Sequence, residues 1–188
     1  MMSQVVLSSA HHTLSFVTEG GEADLGVDGP LRQFAALAGY LSYGLMVVSM
    51  VWGLTLTTGF AQRYIKRATV YGGHMTLTIT TIVFTLLHAL AYIFQVNEQF
   101  SVIDAFVPFA GEAEVAVGII GFELMLAIAA SLWFQKRISY RRWHWLHLLA
   151  YPAFGLSLGH VFATSAEARA GGLITVALVA TAGVLIVL

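Results

Sequence analysis

Apolar residues run in long stretches over about 35–59, 69–95, 115–134, 143–164 and 170–188, with short polar segments between them. None of the stretches alternates apolar and polar positions as a membrane barrel strand does. At a rise of about 1.5 Å per residue, each is long enough to cross a hydrocarbon core of about 30 Å. Lipid offers the backbone no hydrogen-bond partners, so runs of this kind must satisfy their own N–H and C=O groups, and they predict helices. The pattern predicts an all-α integral membrane protein, with a bundle of five transmembrane helices occupying residues 35–188. Residues 1–34 are different: Glu19, Glu22, Asp24 and Asp28 stand among glycines, and Pro30 closes the segment. This segment reads as a polar extracytoplasmic arm. It lacks the basic cluster, apolar core and small-residue cleavage site of a signal peptide, so the first helix is expected to start insertion itself.

Charge gives these helices a direction. Seven of the nine basic residues fall in two loops, Arg63, Lys66 and Arg67 in one and Lys136, Arg137, Arg141 and Arg142 in the other. Nine of the ten carboxylates lie in the arm, the 96–114 loop and the 165–169 loop. Basic loops stay in the cytoplasm, so the amino terminus is expected outside, the carboxyl terminus inside, and the second and fourth helices both run outward. With 58% hydrophobic and 10% charged residues, the chain leaves no room for a second folded domain, and a multi-pass protein of the cell membrane is expected. A formal net charge of −1 argues against a nucleic-acid partner. The absence of cysteine excludes disulfides, iron–sulfur clusters and thiolate zinc sites.

Histidines carry the candidate chemistry. The second helix holds His74 near its cytoplasmic end and His88 fourteen residues later; the fourth holds His147 and, thirteen residues later, His160. Ionisable side chains inside a span mark function. Measured from Arg67 and Arg142, the four imidazoles fall at two depths, each with one imidazole from each of two parallel helices. A porphyrin iron takes axial ligands from opposite sides, and imidazoles facing each other across a helix gap supply them. Two such levels, about 20 Å apart, would carry an electron most of the way through the core. Fourteen residues return an ideal helix to within about 40° of the same face, so His74 and His88 share one. Thirteen residues miss by about 140°, so His147 and His160 require a kink or altered winding, for which Pro152, Gly155 and Gly159 are placed. A zinc site fits poorly, because residues fourteen apart on one helix cannot reach one ion.

The pattern H-x13-H on one helix and L-H-x12-H on the next but one resembles the ferric reductase-like transmembrane domain superfamily. Its members include NADPH oxidases, ferric reductases and the heme subunit of bacterial methionine-sulfoxide reductase systems. The segment RRWHWLHLLAYPAFGLSLGH is similar to the second ligand helix of that family, and the likeness extends over about residues 35–188. The resemblance implies two heme b groups, the inner held by His74 and His147 and the outer by His88 and His160. It implies a b-type cytochrome passing electrons from a cytoplasmic or quinol donor to an outer acceptor, as a subunit of a larger oxidoreductase. NADPH oxidases usually carry a further helix before these five and a flavin- and nicotinamide-binding domain after them. Here the sequence stops at Leu188 without a Gly-rich nucleotide fingerprint, so a separate flavoprotein dehydrogenase or a quinol is the expected donor, with a redox protein as partner.

Other positions carry two readings each. Arg67, Arg141 and Arg142 lie near the inner histidines, where guanidinium groups either pair with heme propionates or snorkel to headgroups. His144 belongs at the interface beside Trp143 and Trp145, or else touches heme; His11 and His12 are expected to be solvated. Glu123, the one carboxylate within a span, is expected to hydrogen-bond between helices, with a proton relay as the sharper reading. Phe154 falls midway between His147 and His160, as core packing or as an aromatic between hemes. Phe100, Phe106 and Phe109 make the 96–114 loop either a cover for the outer heme or an interfacial segment. The competing class is a non-heme structural or assembly subunit, or a small proton-coupled transporter using the same histidines.

Overall fold

The computed structural model describes residues 28–95 and 100–187, and expectations on His11, His12, Glu19, Glu22, Asp24 and Glu98 fall outside them. Helix α1 spans Asp28–Thr58, and a short 3-10 turn, Ala61–Arg63, leads to α2, Arg67–Ile93. A five-residue helix α3, Val102–Phe106, precedes α4, Ala113–Phe134. Helices α5, Tyr140–His147, and α6, Ala150–Thr164, form one broken rod. The four-residue α7, Ala166–Arg169, then leads to α8, Leu173–Val187. Among the described residues there is no strand.

The first helix begins at Asp28, seven residues before the expected boundary, and takes in Pro30. Proline is tolerated there because the first N–H groups of a helix have no intrahelical partner to lose. Four helical segments have the length and apolar composition to cross a membrane: Gly29–Thr58, Arg67–Ile93, Ala113–Phe134 and Tyr140–Thr164. Over its 15 described residues α8 is apolar. Gly171, at φ +76°, makes the left-handed turn before it.

The bundle consists of two helix pairs, α1 along α2 and α4 along α6. Hydroxyl groups bind the first pair: Ser42 Oγ lies 2.6 Å from Thr85 Oγ1 and donates to the Thr81 carbonyl at 3.2 Å, and Ser49 Oγ lies 3.0 Å from Thr78 Oγ1. Such bonds join membrane helices where burial of apolar surface gives little drive. The second pair packs through small residues, with Gly121 of α4 against Ser157 and the Ala153 carbonyl of α6. The pairs meet around a core of Tyr43, Met46 and Phe154, where Tyr43 stacks on Phe154 at 5.6 Å. Helix α8 docks on this core through Leu178 and a 2.9 Å bond between Thr181 Oγ1 and the Tyr43 hydroxyl.

Candidate functional site

The four membrane histidines come together as two pairs between the helix pairs. His74 of α2 faces His147 of α5 with ring centres 6.0 Å apart and planes at 76°. His88 of α2 faces His160 of α6 at 6.2 Å and 84°. The pairing His74–His147 and His88–His160 requires α2 and the α5–α6 rod to run in the same direction.

The phase conflict is narrowed immediately after His147. Pro152 has no N–H to give the Leu148 carbonyl, and Tyr151 N–H bonds it instead at 3.1 Å. Leu149 N–H reaches the Leu146 carbonyl, also three residues back, at 3.1 Å. These i→i+3 bonds wind the chain at about 120° per residue instead of about 100°, the direction needed to bring His160 round to the face of His147.

Three imidazoles are tied to the backbone through Nδ1. The His74 ring lies 3.0 Å from the Ser49 carbonyl, that of His88 2.7 Å from the Ala35 carbonyl, and that of His160 2.9 Å from the Glu114 carbonyl. A carbonyl only accepts, so Nδ1 carries the proton in each case and Nε2 presents its lone pair, the tautomer that binds a metal. No hydrogen bond from a described residue reaches the His147 ring, which stacks on Trp143 at 5.1 Å and 18°.

A cavity opens at each level. The smaller, about 360 Å³, is bordered by His74, His147, Ser49, Gly53 and Tyr151. His144, expected at the interface, also lines it while its ring stacks on Tyr140. The larger, about 970 Å³, is bordered by His88, His160, Tyr40 and Phe122. Phe100, Asp104 and Glu112 close it from the 96–114 loop, whereas Phe106 and Phe109 of that loop are exposed. Met46 and Met125 border both cavities, and Phe154, buried in the core, borders neither.

A metal–nitrogen bond of about 2.0 Å, with the ring centre about 1 Å behind the nitrogen, sets two axial imidazoles about 6 Å apart, so both pairs fit a six-coordinate porphyrin iron. Among the described residues no group of three or more His, Cys, Asp or Glu side chains converges to hold a bare ion.

Arg67, Arg141 and Arg142 border neither cavity. Arg32 and Arg169, which the sequence reading passed over, both border the larger one. Their signal was visible: they are the two basic residues outside the cytoplasmic-type loops. Glu123 is exposed on the outer surface of α4 with no partner among the described residues, which corrects the expected interhelical bond. Gly121 and Phe122 take the buried positions, and one further residue turns the side chain about 100° away. Trp143 also departs from expectation: its indole Nε1 is buried and is the one such side-chain atom among the described residues without a partner. Its place four residues before His147, one helical turn, was the clue.

Residues 38–158, more than half of the chain, match the family model described as ferric reductase like transmembrane component. The matched stretch contains His74, His88 and His147 and ends two residues before His160. No curated protein and no solved structure matches the chain.

Proposed function

The chain belongs to the ferric reductase-like transmembrane family, and we propose that it is a diheme b-type cytochrome that carries electrons across the cell membrane to an outer acceptor. It is a multi-pass membrane protein, and its family is one of heme-binding domains for transmembrane electron transfer. The observation that carries the diheme reading is the meeting of two imidazole pairs at 6.0 and 6.2 Å, with three of the rings protonated on Nδ1 by their bonds to carbonyls. His74 and His147 would hold the inner heme b and His88 and His160 the outer one. When bound, the hemes supply one-electron redox chemistry.

The residues of the chain hold and orient. His88 and His160 would hold the outer heme from both sides, and the group would supply one-electron transfer to an outer acceptor without a free site on the metal. Arg32 and Arg169 border the outer cavity, where their guanidinium groups would neutralise propionates. Arg67, Arg141 and Arg142 would serve the inner end as surface cations. In this reading the amino terminus lies outside, the carboxyl terminus is cytoplasmic, and α8 completes a fifth crossing. The basic inner loops face the donor side, where a separate flavoprotein dehydrogenase or a quinol supplies electrons to the larger redox system.

Reduced-minus-oxidised spectra of the purified chain test this directly. The expected result is sharp low-spin heme b bands and a pyridine hemochromogen ratio of two hemes per chain. A colourless protein would overturn the reading in favour of a structural subunit or a proton-coupled transporter.

A further inference from the structure

Three of the four imidazoles are held by one device, repeated on two helices. In each case the accepting carbonyl belongs to residue i of the neighbouring helix, and residue i+4 is glycine. The pairs are Ala35 and Gly39 at His88, Ser49 and Gly53 at His74, and Glu114 and Gly118 at His160. A side chain at i+4 lies over the carbonyl of residue i, which is how Thr78 reaches the His74 carbonyl at 2.9 Å and Thr164 that of His160 at 2.8 Å. Glycine leaves that space open, and the second lone pair of a carbonyl already inside a helix becomes available to an incoming imidazole.

The spaces left by these glycines are filled by the rings. A Cβ at Gly118 would lie 2.7 Å from His160 Cγ and Nδ1, one at Gly39 2.8 Å from His88 Nδ1, and one at Gly53 3.1 Å from His74 Cε1. Gly44 and Gly155, on the same helix pairs, meet nothing within 4 Å. Along α1 both the carbonyls and the glycines recur at fourteen residues, the spacing of His74 and His88 on the antiparallel α2. On α4 the positions fourteen beyond Glu114 and Gly118 are Ile128 and Leu132, so the device is missing where His147 would need it.

We propose that Gly39, Gly53 and Gly118 are positioning residues: each opens the carbonyl four residues before it, and that carbonyl fixes one imidazole as an Nδ1–H donor with Nε2 aimed at iron. This rests on the diheme reading. His147 is then the one ligand oriented by stacking instead, on Trp143. A carbonyl bond raises the basicity of an axial imidazole and favours ferric iron, so loss of the bond raises the midpoint potential of that level alone.

The test is electron paramagnetic resonance and a spectroscopic redox titration of the purified full chain. Gly39→Ala and Gly118→Ala are expected to shift the ferric signal and raise the potential of the outer heme, or to release that heme alone, with the inner heme unchanged. The milder clash at Gly53 lets Gly53→Ala keep its fold, and there the inner signal shifts while the outer stays. Gly44→Ala and Gly155→Ala leave both signals as in the wild type. Two hemes with wild-type signals and potentials in Gly39→Ala, Gly53→Ala and Gly118→Ala would overturn the proposal while leaving the diheme reading intact. A wild-type chain without heme would instead remove the diheme reading itself.

Discussion

His160 meets His88 with ring centres 6.2 Å apart, although an undistorted helix carrying His147 on the shared face would turn His160 away from it. Part of the correction is the tight turn at Leu148–Leu149, where Pro152 cannot donate to the Leu148 carbonyl. Pro152→Ala restores that donor and lets the rod relax toward about 100° per residue. The expected outcome is loss of low-spin heme from the outer level, with total heme falling toward one per chain by pyridine hemochromogen assay. Unchanged stoichiometry and spectra would show that the winding is imposed by packing and not by the proline.

Replacing single histidines separates the levels. His88→Leu removes one axial ligand from the outer pair and is expected to halve the heme content, leaving the inner signal in place. His144→Leu is expected to keep both hemes: His144 borders the inner cavity, but the ring that meets His74 at 6.0 Å is that of His147. Retention of two hemes by the His88 variant, or loss of one by the His144 variant, would reassign the ligands.

The histidine pairs and the long helices were legible in the sequence because both depend on spacing along a single helix, which a rise of about 1.5 Å per residue converts directly into depth. Which helix lies beside which is not written in that spacing. Gly39, Gly53 and Gly118 therefore read as ordinary packing residues until α1 and α4 are seen against the rings. Glu123 was misread for a related reason. One helical step separates it from buried Phe122, and hydropathy alone does not say which face of an almost uniformly apolar helix turns inward. Position 152 announced a distortion, yet its form, an overwound turn placed before the proline, follows from which carbonyl loses its donor.

Asp104 gives the cover of the outer cavity a pH dependence. Its carboxylate accepts from the Ser101 hydroxyl at 2.7 Å and from the Ser101 N–H at 2.9 Å, and these bonds hold its pKa below the ordinary carboxylate value. A depressed carboxylate stabilises the folded form fully above its unfolded pKa of about 3.9 and loses that contribution as pH falls through the lower folded value. Protection of the α3 amides against hydrogen exchange, corrected for intrinsic rates, should therefore hold from neutral pH down to about 4 and decline below it. Asp104→Asn should show the reduced protection already at neutral pH, with little further change on acidification. A variant as protected as the wild type at pH 7 would remove the carboxylate from the account of this loop.

Phe154 lies midway along the ligand rod, but its place in the structure is the core and not the gap between the cavities. It is 6% exposed, stacks on Tyr43 at 5.6 Å and 29°, and borders neither cavity, whereas Met46 and Met125 border both. An aromatic ring that carried electrons between the levels would have to face both of them. Phe154→Leu keeps an apolar side chain in the same space and removes only the stacked ring, at a cost of about 1 kcal/mol in stability. The rate of electron transfer between the hemes, followed optically after rapid reduction of one level, is expected to stay within about twofold of wild type while the melting temperature in detergent falls. A tenfold loss of rate, about 1.4 kcal/mol in activation free energy, with the melting temperature unchanged would make Phe154 a relay and not a packing residue.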